Sequence, residues 1–229
     1  MSTTRPKRKR KKRKNKKNIT QILFIGCLVI IVLAIAWQLI PARGSVSVLN
    51  ITNKKTALVA KPEISVDLLD PNPYSRPQTK LEKVNGIVIH YVANPGTSAK
   101  SNRDYFNGLK DSHATYASSH FVIDKDGTIL QAIPTSEVAY ASNSRNSDTI
   151  AIECCHYDDT GQFTADTYNS LVELTAYLCG KYNLKKDDII RHYDVTGKLC
   201  PIYYVKHEDK WEEFKNDVFD YIEKNGTDQ

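Results

Sequence analysis

The stretch GIVIHYV, residues 86–92, consists almost entirely of β-branched, aliphatic and aromatic side chains. This composition is typical of a central strand that is buried on both faces of a sheet. TIAIECCHY, residues 149–157, is a second run of the same type, and DIIRHYD, residues 188–194, predicts a further strand that ends at His192. A sheet built from such strands must have other structural elements packed on both of its faces.

Helix and hairpin signals lie between these runs. Residues 98–109 predict a short helix. The apolar side chains of residues 168–182 recur at the spacing of one helical face, and Thr164 is placed to act as the N-cap of that helix. HFVIDKDGTILQAI, residues 120–133, predicts two strands joined at an Asp-Gly turn.

A last apolar stripe over residues 211–222 predicts a closing helix. Strands and helices therefore alternate from residue 81 onward, which is the pattern of an α/β protein. We expect a single domain over residues 81–229, with a central mixed β-sheet flanked by helices and one N-terminal transmembrane helix before it.

The basic residues are concentrated at the N-terminus. Of the 32 lysines and arginines, 11 lie in residues 1–17, which contain no acid, so the remainder has 21 basic against 26 acidic side chains. Residues 22–40 carry no charge, and a helix of that length crosses roughly 30 Å of hydrocarbon. Because basic residues keep their end of a span in the cytoplasm, we expect a basic cytoplasmic tail at residues 1–19 and a transmembrane signal anchor at residues 20–40.

Two other interpretations of this N-terminus are weaker. A basic run can bind nucleic acid, but the apolar span beside it favours a membrane anchor, so we expect no nucleic-acid partner. A cleaved signal peptide has an apolar core of about 7–15 residues and a small-x-small cleavage site. The core here is longer, and LIPARG, residues 39–44, matches such a site poorly. We therefore expect a single-pass protein of the cell membrane, monomeric, with its main domain outside the cytoplasm.

Residues 41–80 predict an extracytoplasmic stalk or linker. The segment has several prolines, few aromatic residues and no sustained period. Its last part, LLDPNPYSRP at residues 68–77, is less typical of a free linker and is compatible with a path along the domain.

RHYDVTGKLCP, residues 191–201, raises the question of a metal site. His192 ends a strand, and Cys200 follows a turn that can bring it back to that strand. Imidazole and thiolate together suit zinc, and His90 lies near the end of another buried strand, where ligands gather in open α/β sheets. A single histidine in an apolar strand is more often structural, but three such positions predict one bound Zn²⁺ ion. Two histidines and one cysteine leave a fourth coordination position for water, as in catalytic zinc sites.

Glu153 and Lys198 are the candidate catalytic side chains. Glu153 interrupts an apolar strand, where an unpaired carboxylate is costly, so it is either a general base or half of a structural ion pair. Lys198 lies two residues before Cys200 and can stabilise an oxyanion, although an ordinary solvated lysine is the simpler interpretation.

The other cysteines have simpler explanations. Cys179 falls on the buried stripe of a helix, where a thiol acts as a small apolar group. Cys154 and Cys155 are adjacent on a strand and point to opposite faces. Outside the cell a disulfide between Cys179 and Cys200 remains possible from the sequence alone.

Four ordered motifs carry a family resemblance over about residues 81–225. They are IVIHYVANPGTSA, SSHFVIDKDGTI, TIAIECCHYDDTGQF and IIRHYDVTGKLCP. Together they resemble the zinc-dependent N-acetylmuramoyl-L-alanine amidases (type 2), a superfamily that includes phage-lysozyme-type amidases and peptidoglycan recognition proteins. The similarity is greatest to the endolysin-like branch.

The resemblance implies roles for matching positions. His90, His192 and Cys200 match the zinc ligands, Glu153 matches the general base, and Lys198 matches the lysine before the third ligand. His120 matches a histidine that is not a ligand and is structural or at the substrate groove. Phage-lysozyme-type members have a tyrosine where this chain has Ser119, which leaves the acid–base role to Glu153.

The resemblance implies a peptidoglycan hydrolase, and residues 1–40 predict that it is anchored in the membrane. We expect an amidase catalytic domain that cuts the amide bond between N-acetylmuramic acid and L-alanine and faces the cell wall. The alternative is a membrane-tethered module that binds peptidoglycan without cleaving it, or a site in which the metal is only structural. Four polar loop residues are further candidates for substrate contact: Asn94, Asn143, Arg145 and Asn146.

Overall fold

The computed structural model describes residues 55–228. The basic tail, the predicted anchor and the first part of the predicted stalk lie outside these residues. The strands are β1 (Ser65–Val66), β2 (Gly86–Tyr91), β3 (Phe121–Ile123), β4 (Ile129–Gln131), β5 (Thr149–Cys154) and β6 (Ile189–Arg191). The α-helices are α1 (Ala99–Ser112), α2 (Ala165–Tyr182), α3 (His192–Thr196), α4 (Ile202–Lys206) and α5 (Glu208–Asn225), with 3₁₀ turns at Asn143–Arg145 and Lys186–Asp188. Within the part of the chain that is described, no helix has the length and apolarity to cross a membrane.

The strands form one mixed sheet in the order β1-β4-β3-β5-β2-β6. Only β3 and β4 pair antiparallel, as the hairpin signal predicts, and all other neighbours are parallel. The central strands β2 and β5 are almost completely buried, in agreement with their unbroken apolar runs. The predicted mixed α/β domain is therefore confirmed.

The long helices cover one face of the sheet. Thr164 caps α2 by accepting a hydrogen bond from the Thr167 N–H, as predicted. The apolar stripes of α2 and α5 pack in one cluster with alternate residues of β2 and β5, among them Ile87 and Ile152. Because side chains alternate between the faces of a strand, His90 and Glu153 point away from this cluster, to the face on the side of α1.

The strand predicted to end at His192 stops one residue earlier. Asp194 accepts hydrogen bonds from the backbone N–H and the guanidinium of Arg191, and this cap begins α3 at His192. His192 therefore sits in the first turn of a short helix and not in the strand itself.

Residues 55–80 require a correction to the predicted stalk. The compact unit begins at Lys55, not at Leu81, and β1 adds a strand to the edge of the sheet beside β4. Leu69 is fully buried, and Arg76 forms a two-bonded ion pair with Glu137. The sequence lacks a period here because the segment is held by isolated apolar anchors and side-chain hydrogen bonds instead of a long regular element.

Candidate metal centre

Three buried side chains converge where the carboxyl ends of β2 and β6 meet. His90 lies on β2, His192 opens α3 directly after β6, and Cys200 lies on the loop that follows. The loop folds back because the Tyr193 N–H donates to the Cys200 carbonyl and the Cys200 N–H donates to the Lys198 carbonyl. One donor atom from each residue lies within 4.8 Å of the other two.

The donor set fits a zinc ion. Sγ of Cys200 lies 3.8 Å from Nδ1 of His90. Zinc bonds of about 2.3 Å to sulfur and 2.0–2.1 Å to nitrogen in a tetrahedron require a sulfur–nitrogen separation of about 3.6 Å. The two atoms therefore need to move only slightly to share one ion.

Each of the two histidine rings is oriented by a hydrogen bond at its Nε2 atom. Nε2 of His90 is 3.2 Å from Oγ of Ser142, and Nε2 of His192 is 2.8 Å from Oδ1 of Asn143. These bonds leave Nδ1 of each ring for a metal, and such outer partners characteristically fix the tautomer of a ligand histidine. Asn146 in turn shapes the loop, since its Oδ1 accepts the backbone N–H groups of Ala141 and Ser142.

The protonation states of His90, His192 and Cys200 suit metal binding, provided that the metal displaces the proton of the Cys200 thiol. Burial lowers the pKa of His90 well below its usual value, and it lowers the pKa of His192 as well, so both imidazoles are neutral. Burial raises the pKa of the Cys200 thiol to about 12 in the absence of metal. Metal binding must therefore displace the thiol proton.

Glu153 lies beside the three donors. It pairs with His90 across β5 and β2, and its Oε1 is 3.9 Å from Nδ1 of His90. Its Oε2 is buried and has no hydrogen-bond partner, and burial raises the pKa of the carboxyl to about 8. No Lys or Arg within residues 55–228 forms an ion pair with Glu153, so the geometry does not support the structural ion pair.

Lys198 stands at the edge of the same site with its side chain exposed. Burial dominates the pKa shifts of Glu153, His90 and Cys200, and the positive charge of Lys198 makes a smaller contribution that lowers each of the three pKa values. A cation in this position can stabilise negative charge that develops near the metal.

A groove of about 340 Å³ opens onto the centre. The three metal-site residues, Glu153 and Lys198 line one part of it. It is also lined by aromatic side chains from α1 and from the loops before β3 and before the 3₁₀ turn: Phe106, Tyr116 and Tyr140. A concave site with a few convergent polar groups is the usual form of a substrate site.

The structure separates the remaining candidate residues. Asn143 and Asn146 line the groove. Asn94 is exposed on the loop after β2 and is not among the lining residues, and Arg145 is paired with Asp148. Neither Asn94 nor Arg145 lines the groove, and their contact with substrate stays a prediction.

His120 is also not at the groove. Its ring is buried, Nδ1 accepts the N–H of Ala151, and Nε2 donates to the carbonyl of Glu137. With both nitrogens bound to backbone, His120 is structural. Ser119 is buried too, and its hydroxyl donates to the Phe121 carbonyl, so this position supplies no hydroxyl to the site.

The cysteines within residues 55–228 are free thiols. Cys179 packs in the α2 and α5 cluster, whereas Cys200 faces His90. The disulfide left open by the sequence is therefore not formed.

Comparisons with known proteins agree with this site. A family model described as N-acetylmuramoyl-L-alanine amidase matches residues 80–202, a range that includes all three donors, Glu153 and Lys198. N-acetylmuramoyl-L-alanine amidase CwlL of Bacillus licheniformis is 38% identical over 160 residues, covering 64% of this chain and 44% of the relative. N-acetylmuramoyl-L-alanine amidase BlyA of Bacillus subtilis (strain 168) is 37% identical over 168 residues, with the same coverage. The match thus spans less than half the length of these curated relatives.

Solved structures show the same fold. The catalytic domain of XlyA superposes with a TM-score of 0.59 at 24% identity, covering 69% of this chain and 99% of that one. N-acetylmuramoyl-L-alanine amidase LysC from Clostridium intestinale URNW gives 0.55 at 24% identity, covering 69% and 98%. Since the family model matches more than half of the chain, this chain belongs to the N-acetylmuramoyl-L-alanine amidase family.

Proposed function

We propose that the protein is a zinc-dependent peptidoglycan hydrolase that cleaves the amide bond between N-acetylmuramic acid and L-alanine. The observation that carries this proposal is the Glu153 carboxylate, whose Oε2 is buried and which lines the same groove as the two histidines and the cysteine. A metal that served only stability would be enclosed by four protein ligands and would need no such carboxylate.

His90, His192 and Cys200 would hold the ion, which when bound supplies a Lewis acid and lowers the pKa of water to about 7. Ser142 and Asn143 hold the two imidazoles in the ligating tautomer. A peptide carbonyl entering the groove would place its oxygen toward the centre, with Lys198 stabilising the charge that develops on that oxygen.

Glu153 performs the proton transfers. As a carboxylate it takes the proton of the attacking water, and as an acid it returns that proton to the nitrogen of L-alanine as the C–N bond breaks. Its position in a buried strand suits both steps, because the pKa of about 8 without metal shows an environment in which the protonated form is readily populated. The ion's charge will favour the carboxylate when the site is loaded.

A wall-binding module without activity is the alternative. Such a module needs the groove but has no use for a general base or an open metal position. The joint presence of Glu153 and the three donors favours the enzyme.

We also propose that the enzyme is held on the outer face of the cytoplasmic membrane. This rests on the sequence of residues 1–40, with its basic tract before an uncharged span. Because the compact unit begins at Lys55, residues 41–54 form the tether and reach at most about 50 Å when fully extended. The enzyme would act on wall close to the membrane.

The test uses the full-length protein, purified in detergent, with muropeptides of defined stem. Mass spectrometry should detect release of the intact peptide stem, and a chelator should abolish the release. Stem peptides that remain attached to the sugar in every reaction would refute the amidase. The anchor is tested separately by cell fractionation, in which a chain lacking residues 1–40 should leave the membrane fraction.

A further inference from the structure

An aromatic stack leads away from the catalytic groove. The rings of His113 and Tyr74 are stacked with centroids 4.4 Å apart, and Tyr74 and Tyr116 are stacked at 5.1 Å. Tyr140 meets Tyr116 edge-on at 5.8 Å. Tyr116 and Tyr140 line the groove, and Tyr116 is 62% exposed. A large ring that stays exposed while its neighbours hold it in place offers a rigid contact surface.

The backbone fixes this arrangement by joining three segments side by side. The Ala117 N–H donates to the Tyr74 carbonyl, and the Ser118 N–H donates to the Tyr140 carbonyl. The Ser118 hydroxyl in turn accepts the Tyr140 N–H. These bonds hold the backbone that follows Tyr116, and the Tyr116 ring itself contacts Tyr74 and Tyr140.

Tyr74 comes from the segment first expected to be a stalk. Asn72 shapes its turn by accepting the N–H groups of Tyr74 and Ser75, and the neighbouring Arg76 is anchored on Glu137. The N-terminal segment thus places an aromatic ring behind Tyr116.

We propose that Tyr116 is a contact platform for the glycan strand of peptidoglycan, with Tyr74 and His113 as positioning residues. The inference rests on the proposed function, in which the cleaved amide is attached to N-acetylmuramic acid. The sugar chain must therefore pass within reach of the groove. Pyranose rings have one apolar face of C–H groups that packs on an aromatic ring, and a tyrosine loses little conformational entropy on binding.

Glycan binding can be measured without cleavage. Peptide-free oligomers of the wall glycan are titrated into the full-length protein by calorimetry. We expect Tyr116→Ala to weaken binding about ten-fold and Tyr116→Phe to bind like the wild type, since the phenyl face is retained. Tyr74→Ala should weaken binding less. Tyr157→Ala is the matched control, because Tyr157 is 66% exposed and does not line the groove. Thermal melting checks that every variant is folded.

Kinetics separate the glycan from the peptide stem. With Tyr116→Ala, KM should rise more for a multi-disaccharide substrate than for a single N-acetylmuramoyl-peptide. Equal rises for both substrates, or glycan binding equal to that of the wild type, would overturn the platform. If the wild type binds glycan but cleaves no muropeptide, the proposed function fails, while the calorimetric comparison still decides the role of Tyr116.

Discussion

Glu153 combines burial, charge and proximity to three metal-binding side chains. Its side chain is 15% exposed, and one of its oxygens has no hydrogen-bond partner. Burying a carboxylate without a partner destabilises a protein by several kcal/mol, so its presence in this strand points to chemistry. The neighbouring strand residues Ile152 and Cys154 are buried in the ordinary apolar way.

Substituting Glu153 tests the proton transfer. We expect Glu153→Gln to lower kcat about 10²- to 10⁴-fold, because the amide keeps the shape but cannot take a proton. Zinc content, measured by elemental analysis, should stay at the wild-type level since Glu153 is not one of the three donors. Cleavage at the wild-type rate would exclude Glu153 as the base.

Substituting Ser142 tests whether the hydrogen bond at Nε2 of His90 supports metal binding. Removing its hydroxyl frees Nε2 of His90, so Ser142→Ala should weaken zinc binding about 10- to 100-fold. Competition with a chromogenic chelator measures the affinity. Ser144→Ala is the control, because Ser144 lies on the same loop and has no hydrogen bond to a metal-site histidine within the described structure. An unchanged affinity would mean that Ser142 does not orient the ligand.

His120 makes stability depend on pH. Its pKa is lowered by burial to about 4 in the folded protein, against 6.5 in an exposed histidine. Because the folded pKa is the lower one, the unfolded chain binds the extra proton, and stability is complete above pH 6.5 and falls as the pH approaches 4. The loss from this residue is about 3 kcal/mol. Protonation would also break the bond from the Ala151 N–H to Nδ1.

Denaturant unfolding of the metal-free protein checks this contribution. His120→Gln should be less stable than the wild type at pH 7 but should lose less stability between pH 6.5 and pH 4. The difference in pH dependence isolates His120 from the other buried histidines. Parallel curves for the two proteins would contradict the assignment.

The residues that could be predicted are those with an unusual context in sequence. His90 and Glu153 stand out because they interrupt apolar runs. Cys200 stands out because it follows His192 by eight positions in the sequence, after a turn. Ser142 and the ligand-orienting role of Asn143 could not be predicted, since they lie in a polar loop whose path depends on Asn146 and on the pairing of neighbouring segments. Arg145 pairs with Asp148, whereas Asn146 bonds the loop backbone, and the loop sequence does not determine these partners.

Among the elements, those with a clear local signal could be predicted. Strands β2 and β5 have nearly continuous apolar runs, the β3–β4 hairpin has an Asp-Gly turn, and helices α2 and α5 have an apolar period. Helix α3 has five residues and begins because of a side-chain cap, so its sequence also matches the end of a strand. Residues 55–80 have no period at all, although Val59 and Leu69 are buried in the domain.

This segment contributes to stability. A chain that begins at Leu81 loses Val59, Leu69 and the Arg76–Glu137 pair. Burial of one such apolar side chain stabilises by about 1.5–3 kcal/mol, so we expect that truncation to be less stable by at least about 3 kcal/mol than a chain beginning at Lys55. Urea unfolding compares the two chains. Coincident transitions would show that the segment only rests on the surface.

In the whole molecule, residues 55–80 affect the sheet, the groove and the proposed membrane tether. This segment extends the sheet through β1 and places Tyr74 against Tyr116, and under the proposed membrane anchor it would leave residues 41–54 as the tether. The proposed anchor and Tyr74, which supports the proposed glycan platform, therefore both belong to the N-terminal part of the chain. An enzyme tethered this closely would meet glycan strands near the membrane in a restricted range of orientations.

We propose that one zinc ion held by His90, His192 and Cys200 enables release of the peptide stem. The most direct test strips the full-length protein with a chelator, adds back zinc in measured amounts, and follows both bound metal and muropeptide cleavage. Activity should rise in proportion to bound zinc and reach its maximum at one ion per chain, and Cys200→Ala should neither retain the ion nor cleave. Full cleavage by metal-free protein, or by the Cys200→Ala variant, would contradict the account.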